Sequence, residues 1–414
     1  MRTLIFFTSQ FPFGSGETFV ENEFPFLAAA FDRIFIISNK TDGPQTRSIP
    51  PAIDIIRIPY SSSFPYKAAA LAHIFSPVIL NELNFIRQKL NLPLNRQILS
   101  ALFTSYAKAF ETASFINRLI VDYKIELNGA LFYSYWMNDI AAGIALFKSR
   151  NKQAKAICRA HGWDVYFERH QPPYLPLRNF IVQHLNACYC ISENGQAYIK
   201  NLCSFSNVEN VRLSRLGTLN QQGLRSTANG NKLTIVSCSG IIALKRINLI
   251  IDSLALLKGF DVEWIHFGSG MLEKSMQTLA AEKLSSLQHV KYRFAGQFSN
   301  PELLAWYAVN SIDLFINVST TEGLPVSMME AGSFGIPVIA TNVGGVSEII
   351  EHGQNGFLVP GNAIAAQVAE QIEFFYHLQQ VQKEKMRQCA IEKWDSKFNA
   401  QKNYGNFINS ILSL

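Results

Sequence analysis

Charged side chains are scarce in this chain. Asp, Glu, Lys and Arg make up 16% of its 414 residues, against a usual ~25%, while 48% are hydrophobic. That balance excludes a disordered chain or a coiled coil, since both carry far more charge on solvated surface. Cysteine is also sparse, with six residues in the whole chain, so no disulfide scaffold is expected. Cys188 and Cys190 alternate along an expected strand and share one face. No second pair completes a zinc site, and they read as core thiols.

Long apolar runs are missing. The longest, 68–80, is broken by His73, Ser76 and Pro77, well short of the ~20 residues that cross a bilayer. The opening Met1-Arg2-Thr3-Leu4-Ile5-Phe6-Phe7 reaches Ser9-Gln10 without a cleavage pattern. It reads as a first buried strand and not as an export signal. A reducing cytoplasm is the expected location. No D-x-D pair occurs, and His161 and His170 stand nine apart, unsuited to one helix face. Chemistry without a metal is therefore expected. A G-x-S-x-G nucleophile elbow is lacking too.

What the chain has in quantity is material for core. It holds 31 Phe, and its length exceeds the ~250–300 residues at which one core stops growing, so two domains are expected. Up to Gly217 there are 22 Lys and Arg against 15 Asp and Glu, and beyond it 15 against 16. The whole net charge of +6 thus comes from the first half. Basic clusters interleaved with aromatics are lacking, so no nucleic acid is expected. A phosphate-bearing ligand or an anionic membrane face suits a basic first domain equally.

Short β-rich apolar runs alternate with helical spacing. The expected strands are 3–8, 33–38, 54–59, 130–134, 154–159, 187–191 and 211–216, then 233–238, 262–267, 290–294, 314–318 and 337–340. Such alternation predicts parallel sheets covered on both faces. The polar, turn-forming stretch 221–231 marks the seam, giving domains 1–222 and 223–414. Residues 66–121 read as two long helices inserted over the first domain. The last helices, 362–414, are assigned to the second, with packing back on the first left open. Doubly wound sheets bind ligands at the carboxyl ends of their strands, so the chemistry belongs in the loops that follow strands.

Four such loops stand out. The first contains Glu322-Gly323-Leu324-Pro325-Val326-Ser327 and continues to Glu330-Ala331-Gly332. Pro325 suits a first helical position, and the amides of Gly323, Val326 and Ser327 with the helix dipole form an anion site. Glu322 either reaches a sugar hydroxyl or caps the helix. Glu330, four residues after Val326, either accepts from a ribose diol or is a solvated surface charge. Ala331, Gly332 and Gly335 would let this helix lie close on its sheet. The second loop holds Lys245 and Arg246 after the strand ending at Cys238. Adjacent cations suit a helix's positive end poorly unless an anion such as a diphosphate offsets them; otherwise they are surface bases.

The third loop is His161-Gly162-Trp163-Asp164. His161 would overlook a cleft between the domains, its tautomer set by Asp164 or a backbone carbonyl, or it is a structural histidine. The fourth, with Gly14, Gly16 and Glu17, lacks the third glycine of G-x-G-x-x-G and the Lys of a P-loop. It permits close backbone approach to a ligand, or is simply a turn. His266-Phe267-Gly268-Ser269-Gly270 is a similar turn in the second half.

Taken in order, these pieces resemble glycosyltransferase family 4, the retaining nucleotide-sugar enzymes of GT-B fold. Glu322-x7-Glu330 matches that family's E-x7-E signature, and 343–348 and 355–359 look like its following segments. The match in the first domain is looser: Gly14/Gly16, Tyr133-Ser134-Tyr135-Trp136, and His161-Gly162-Trp163-Asp164. The resemblance implies two doubly wound Rossmann-like domains facing across a cleft, the first for the acceptor and the second for the donor. It implies that Glu330 holds the ribose, Glu322 the donor sugar and Lys245 the diphosphate, beside Gly16, Gly323, Leu324, Val326 and Ser327. His161 would flank the transferred sugar, and Gly296 and Gln297 the nucleobase. Many members have Gly-Arg where this chain has Ser239-Gly240; Arg246 is the candidate substitute.

The activity implied is sugar transfer with retention, from a UDP- or GDP-type donor to a saccharide or lipid-linked acceptor. No cofactor beyond the donor is expected. The basic residues Lys67, Arg87, Lys89, Arg96, Lys108 and Arg118 of the helical stretch suit peripheral contact with an anionic membrane at its inner face, or are the solvated basic faces of two amphipathic helices. A GT-B epimerase, or a non-catalytic sugar-nucleotide-binding scaffold, is the alternative.

Overall fold

A computed structural model describes residues 1–14, 16–40, 42–58, 75–203, 208–220 and 232–414. The seam 221–231, residues 66–74 and Ser15 of the glycine loop lie outside them. By its contacts the chain divides into one unit of Met1–Arg215 with Tyr404–Leu414 and another of Leu216–Asn403.

The first unit is built on β1 (Thr3–Thr8), whose six residues are all buried. Side chains alternate faces along a strand. Leu4 and Phe6 accordingly enter one apolar cluster, and Ile5 and Phe7 the other. Around it lie β2 (Arg33–Ser38), β3 (Asp54–Arg57), β4 (Ala130–Ser134), β5 (Lys155–Ala160), β6 (Ala187–Cys190) and β7 (Val211–Leu213), in order β3-β2-β1-β4-β5-β6-β7. All pairs are parallel. The four cysteines of this unit, Cys158, Cys188, Cys190 and Cys203, are buried free thiols.

The helix Arg96–Asp122 is not laid over a finished domain. Asn95 starts it by accepting from the amides of Gln97 and Ile98. Ile98, Leu102, Tyr106, Ala109, Ala113 and Ile116 then fall on one stripe and enter the main core. It packs on the helix Asp139–Arg150, where a Cβ on Gly143 would stand 2.4 Å from Thr112 Cβ. This helix is thus one layer of the fold. The opposite face of the sheet takes Phe407 and Ile411 of the last helix, Ala400–Leu412. Phe407 also lies 4.2 Å under the Arg159 guanidinium.

In the second unit the strands are β8 (Lys232–Cys238), β9 (Asp261–Phe267), β10 (Val290–Gly296), β11 (Leu314–Asn317), β12 (Val338–Thr341) and β13 (Gly356–Val359), in order β10-β9-β8-β11-β12-β13. All are parallel. β13 is absent from the expected strands because it is short and opens on a glycine. Gly356 has no room for a side chain, since a Cβ there would stand 2.2 Å from Val338 O.

Both sheets reverse their winding between the first and fourth strands, the place where doubly wound sheets bind ligands. The loops concerned follow β1 and β4 in one unit, β8 and β11 in the other. Among the described residues no helix is long and apolar enough to cross a membrane.

Candidate functional site

In the second unit the loop after β8 meets the loop after β11. Lys245 closes a short turn, Ala243–Lys245, and its Nζ lies 2.6 Å from Glu322 Oε1. Asn317, the last residue of β11, donates from Nδ2 to the same oxygen at 3.2 Å. Its own Oδ1 accepts from the Ser319 amide and hydroxyl, at 3.0 and 2.6 Å. The two loops are also joined through Leu244 O, which accepts from the Thr320 amide. Glu322 does not cap the helix Val326–Ser333, whose N-cap is Pro325 with no side-chain hydrogen bond. The first-turn amides of that helix lack intrahelical acceptors and carry its positive dipole end. A cation, a carboxylate and a helix N-terminus therefore gather at the reversal point of this sheet.

Glu330 is no surface charge. It is 5% exposed, and burial pushes its carboxyl up to about 7, against the lowering effect of Asn300, which donates from Nδ2 to Oε1 at 2.6 Å. Gly332 and Gly335 serve a neighbouring helix and not the sheet. A Cβ on Gly335, at φ +68, would stand 3.2 Å from Arg387 O in the helix Gln380–Lys397. Gly296, at φ +77, ends β10 at a bulge, and the Gln297 side chain there accepts from Ser269 Oγ at 3.1 Å.

Arg246 is placed differently from Lys245. Its Nε donates to Val318 O at 2.5 Å, and its Nη2 to Gly361 O at 2.9 Å and Ser319 O at 3.3 Å. These bonds hold a residue whose φ of 48° is uncommon outside glycine. With Nε and Nη2 committed to carbonyls, Arg246 fastens the loops.

In the first unit the loop after β1 is gathered by one carboxylate. Glu17, at φ 59°, accepts from the amides of Ser9, Gln10 and Phe11 at 2.9, 2.5 and 2.7 Å, and from Trp136 Nε1 at 2.5 Å. A carboxylate and not a phosphate thus occupies the amide cradle of this loop. His161 follows β5. Its Nε2 lies 3.1 Å from Tyr135 O; a carbonyl can only accept, so Nε2 carries the proton and Nδ1 the lone pair. Burial, then the Arg159 charge, pushes the imidazole down to about 3, against the Tyr135 bond. The ring lies 4.6 Å from Trp136, 5.0 Å from Tyr135 and 5.3 Å from Phe19.

Asp164 does not touch that ring as its tautomer partner. It accepts from the amides of His161 and Met137 at 2.5 and 2.6 Å. Burial pushes it up to about 7, opposed by the Arg178 charge and these amides. Arg159 lies with its Nε 2.8 Å from Glu23 Oε2, both fully buried. Among the described residues no three His, Cys, Asp or Glu side chains gather as metal ligands would.

Sequence reasoning missed Asn317 and Asn300. Asn317 had a signal, a polar residue ending a buried strand. Asn300 was hidden inside the helix start Ser299-x-x-Glu302.

Residues 224–393 match the family model described as Glycosyl transferases group 1. The chain is similar to the putative colanic acid biosynthesis glycosyltransferase WcaL of Salmonella typhimurium, 30% identical over 179 residues, 39% of this chain and 42% of that one. It is also similar to the putative glycosyltransferase EpsD of Bacillus subtilis, 28% identical over 256 residues, 58% and 65% of the two chains. The matched stretches therefore span less than two thirds of those relatives. Among solved structures, Anabaena Alr3699/HepE in complex with UDP superposes with a TM-score of 0.69 at 16% identity, covering 100% of both chains. The chain thus has two parallel Rossmann-like units of GT-B fold, with a group 1 segment over residues 224–393 of the second.

Proposed function

We propose that the chain is a retaining, metal-independent glycosyltransferase. It would move a sugar from a nucleotide-diphosphate sugar of UDP or GDP type to a saccharide or lipid-linked acceptor. The observation that carries this reading is the Lys245–Glu322 pair beside the N-terminus of the helix Val326–Ser333. Breaking a sugar–phosphate bond leaves negative charge on the diphosphate. Lys245 and the first helical amides supply preorganised positive charge there, a role a metal ion plays elsewhere. Glu322 accepts from a hydroxyl of the donor sugar, and Glu330 from the ribose. Gly296 and Gln297 flank the base.

The first unit takes the acceptor, with neutral His161 as its hydrogen-bond acceptor. Relatives named for colanic acid biosynthesis and a structural neighbour solved with UDP support surface polysaccharide or glycolipid synthesis with a UDP donor. Arg87, Arg96 and Arg118 are exposed on the first unit's helices. They suit peripheral contact with the anionic inner face of a membrane, and co-sedimentation with anionic liposomes at low salt checks this.

The deciding experiment is thermal stability with UDP-, GDP-, ADP- and dTDP-sugars in chelator, on wild type and Glu330→Ala. A ligand at 100 times its Kd adds ~2.7 kcal/mol. A shift with one nucleotide class, lost in Glu330→Ala, is expected. A folded protein that responds to none of them would sink the reading. Interconversion of the donor sugar without acceptor would favour an epimerase.

A further inference from the structure

The helix Asn300–Val309 is capped by its neighbours. Ser299 Oγ accepts from the Glu302 amide, and the Glu302 carboxylate accepts from the Ser299 amide and hydroxyl. The Asn300 side chain takes no part in this box. It reaches instead to another helix, where its Nδ2 donates to Glu330 Oε1 at 2.6 Å. Glu330 is almost wholly buried, and a buried carboxylate needs donors to remain charged. Seven residues on, on the same helix, Tyr307 buries a phenol oxygen that has no partner among the described residues. Tyr307 and Cys238, at the end of β8, are the titratable groups whose charge is coupled to Glu330. Burial keeps both protonated throughout the neutral range.

We propose that Asn300 is a positioning residue for nucleoside recognition. Its amide holds one oxygen of the Glu330 carboxylate, so that the other is presented to the ribose diol. This rests on the donor-site reading given above. A donor on Oε1 fixes the rotation of the carboxyl plane, and it favours the ionised form, the better acceptor for two hydroxyls. The signature is a coupling between Asn300, the protonation of Glu330 and the sugar hydroxyls of the nucleotide.

The test is calorimetric titration of the full chain with UDP, and with GDP in parallel, from pH 6 to 9. Wild type, Asn300→Ala, Asn300→Asp and Glu330→Ala are compared, with 2′,3′-dideoxy-UDP as the probe lacking the diol. Wild-type affinity should fall as pH drops through the Glu330 midpoint. Asn300→Ala should move that midpoint upward, so that UDP binds about tenfold more weakly at pH 7 and nearly normally at pH 9. Asn300→Asp adds a like charge and should move it further. Neither substitution should alter binding of dideoxy-UDP.

Equal weakening at every pH, or equal weakening of dideoxy-UDP, would overturn the role and leave Asn300 a structural residue. If Glu330→Ala loses UDP while Asn300→Ala keeps the wild-type midpoint, only the Asn300 role fails. If Glu330→Ala binds UDP and GDP as wild type does, or no form binds either, the donor-site reading fails and this proposal with it.

Discussion

Lys245 Nζ and Glu322 Oε1 lie 2.6 Å apart across the ends of β8 and β11, 77 residues distant in sequence. In the proposed reaction a diphosphate takes the ammonium and a sugar hydroxyl takes the carboxylate. The ion pair holds both groups in place until that exchange.

Lys245→Ala should therefore lower kcat by about 10²–10³, the usual cost of one preorganised donor at a developing anion. Its effect on folding should be moderate. Glu322 is buried, and a buried group that loses a partner costs ~1–3 kcal/mol, here limited because Asn317 still donates to the same oxygen. Steady-state kinetics with urea unfolding on the same variant checks both parts. A large loss of stability with little change in kcat would assign the pair to folding.

Gly345 tests the wall of the same site. Its φ of −86° suits any residue, yet a Cβ would stand 2.4 Å from Gly323 O, the carbonyl that accepts from the Gly345 amide. Gly345→Ala must displace the backbone beside Glu322, at a cost of about 1–3 kcal/mol, and should weaken nucleotide binding. Gly353 is the control, with φ +78 and nothing within 4 Å of its Cβ position. Gly353→Ala should cost ~1 kcal/mol from backbone strain alone and leave nucleotide binding unchanged. Equal binding by the two variants would separate the Gly323 loop from the nucleotide site.

His161 should mark the pH dependence of stability. Its imidazole is held down to about 3 in the folded chain, from an ordinary 6.5. Between these values the unfolded state binds the proton and the folded state does not, so this group's contribution is lost as pH falls from 6.5 toward 3. Asp164 and Glu330, both held up to about 7, act in the opposite sense. For them the folded state binds the proton first, and stability falls as pH rises from the ordinary carboxylate range to about 7. His161→Asn should remove only the first effect. The stability difference between wild type and variant should then change by about 1.4 kcal/mol per pH unit between pH 6 and 4. Parallel pH curves for the two proteins would contradict the buried, neutral imidazole. The same variant should bind nucleotide normally, because Lys245, Glu322 and Glu330 all belong to the other unit.

Much of this molecule follows from local pattern. β1 reads as a strand because its run of Thr, Leu, Ile and Phe is short, apolar and bounded by Ser9-Gln10. Buried on both faces, such a run has nowhere to go but the middle of a parallel sheet. Pro325 is legible as a helix start, and Glu322 and Glu330 are legible together through the E-x7-E spacing that the segment shares with the family it resembles. Lys245 is legible because two cations at a helix start are unusual.

Tertiary structure decided the rest. Whether Arg246 faces a ligand or the carbonyls of Val318, Ser319 and Gly361 depends on loops 72 to 115 residues away. Whether the helix Arg96–Asp122 is an insertion or a layer depends on which sheet face lacks a cover. The last eleven residues join the first unit because Phe407 and Ile411 find an uncovered apolar face there. Asn300 acquires its partner only when two helices bring residues 30 apart together, whereas Asn317 finds Ser319 and Glu322 within the loop that follows it. Sequence determined where strands and helices form and which residues carry charge, because those depend on neighbours within a few positions. The third dimension determined which of those charges are buried, paired or left to a ligand, because burial and pairing depend on residues the chain brings back from far away.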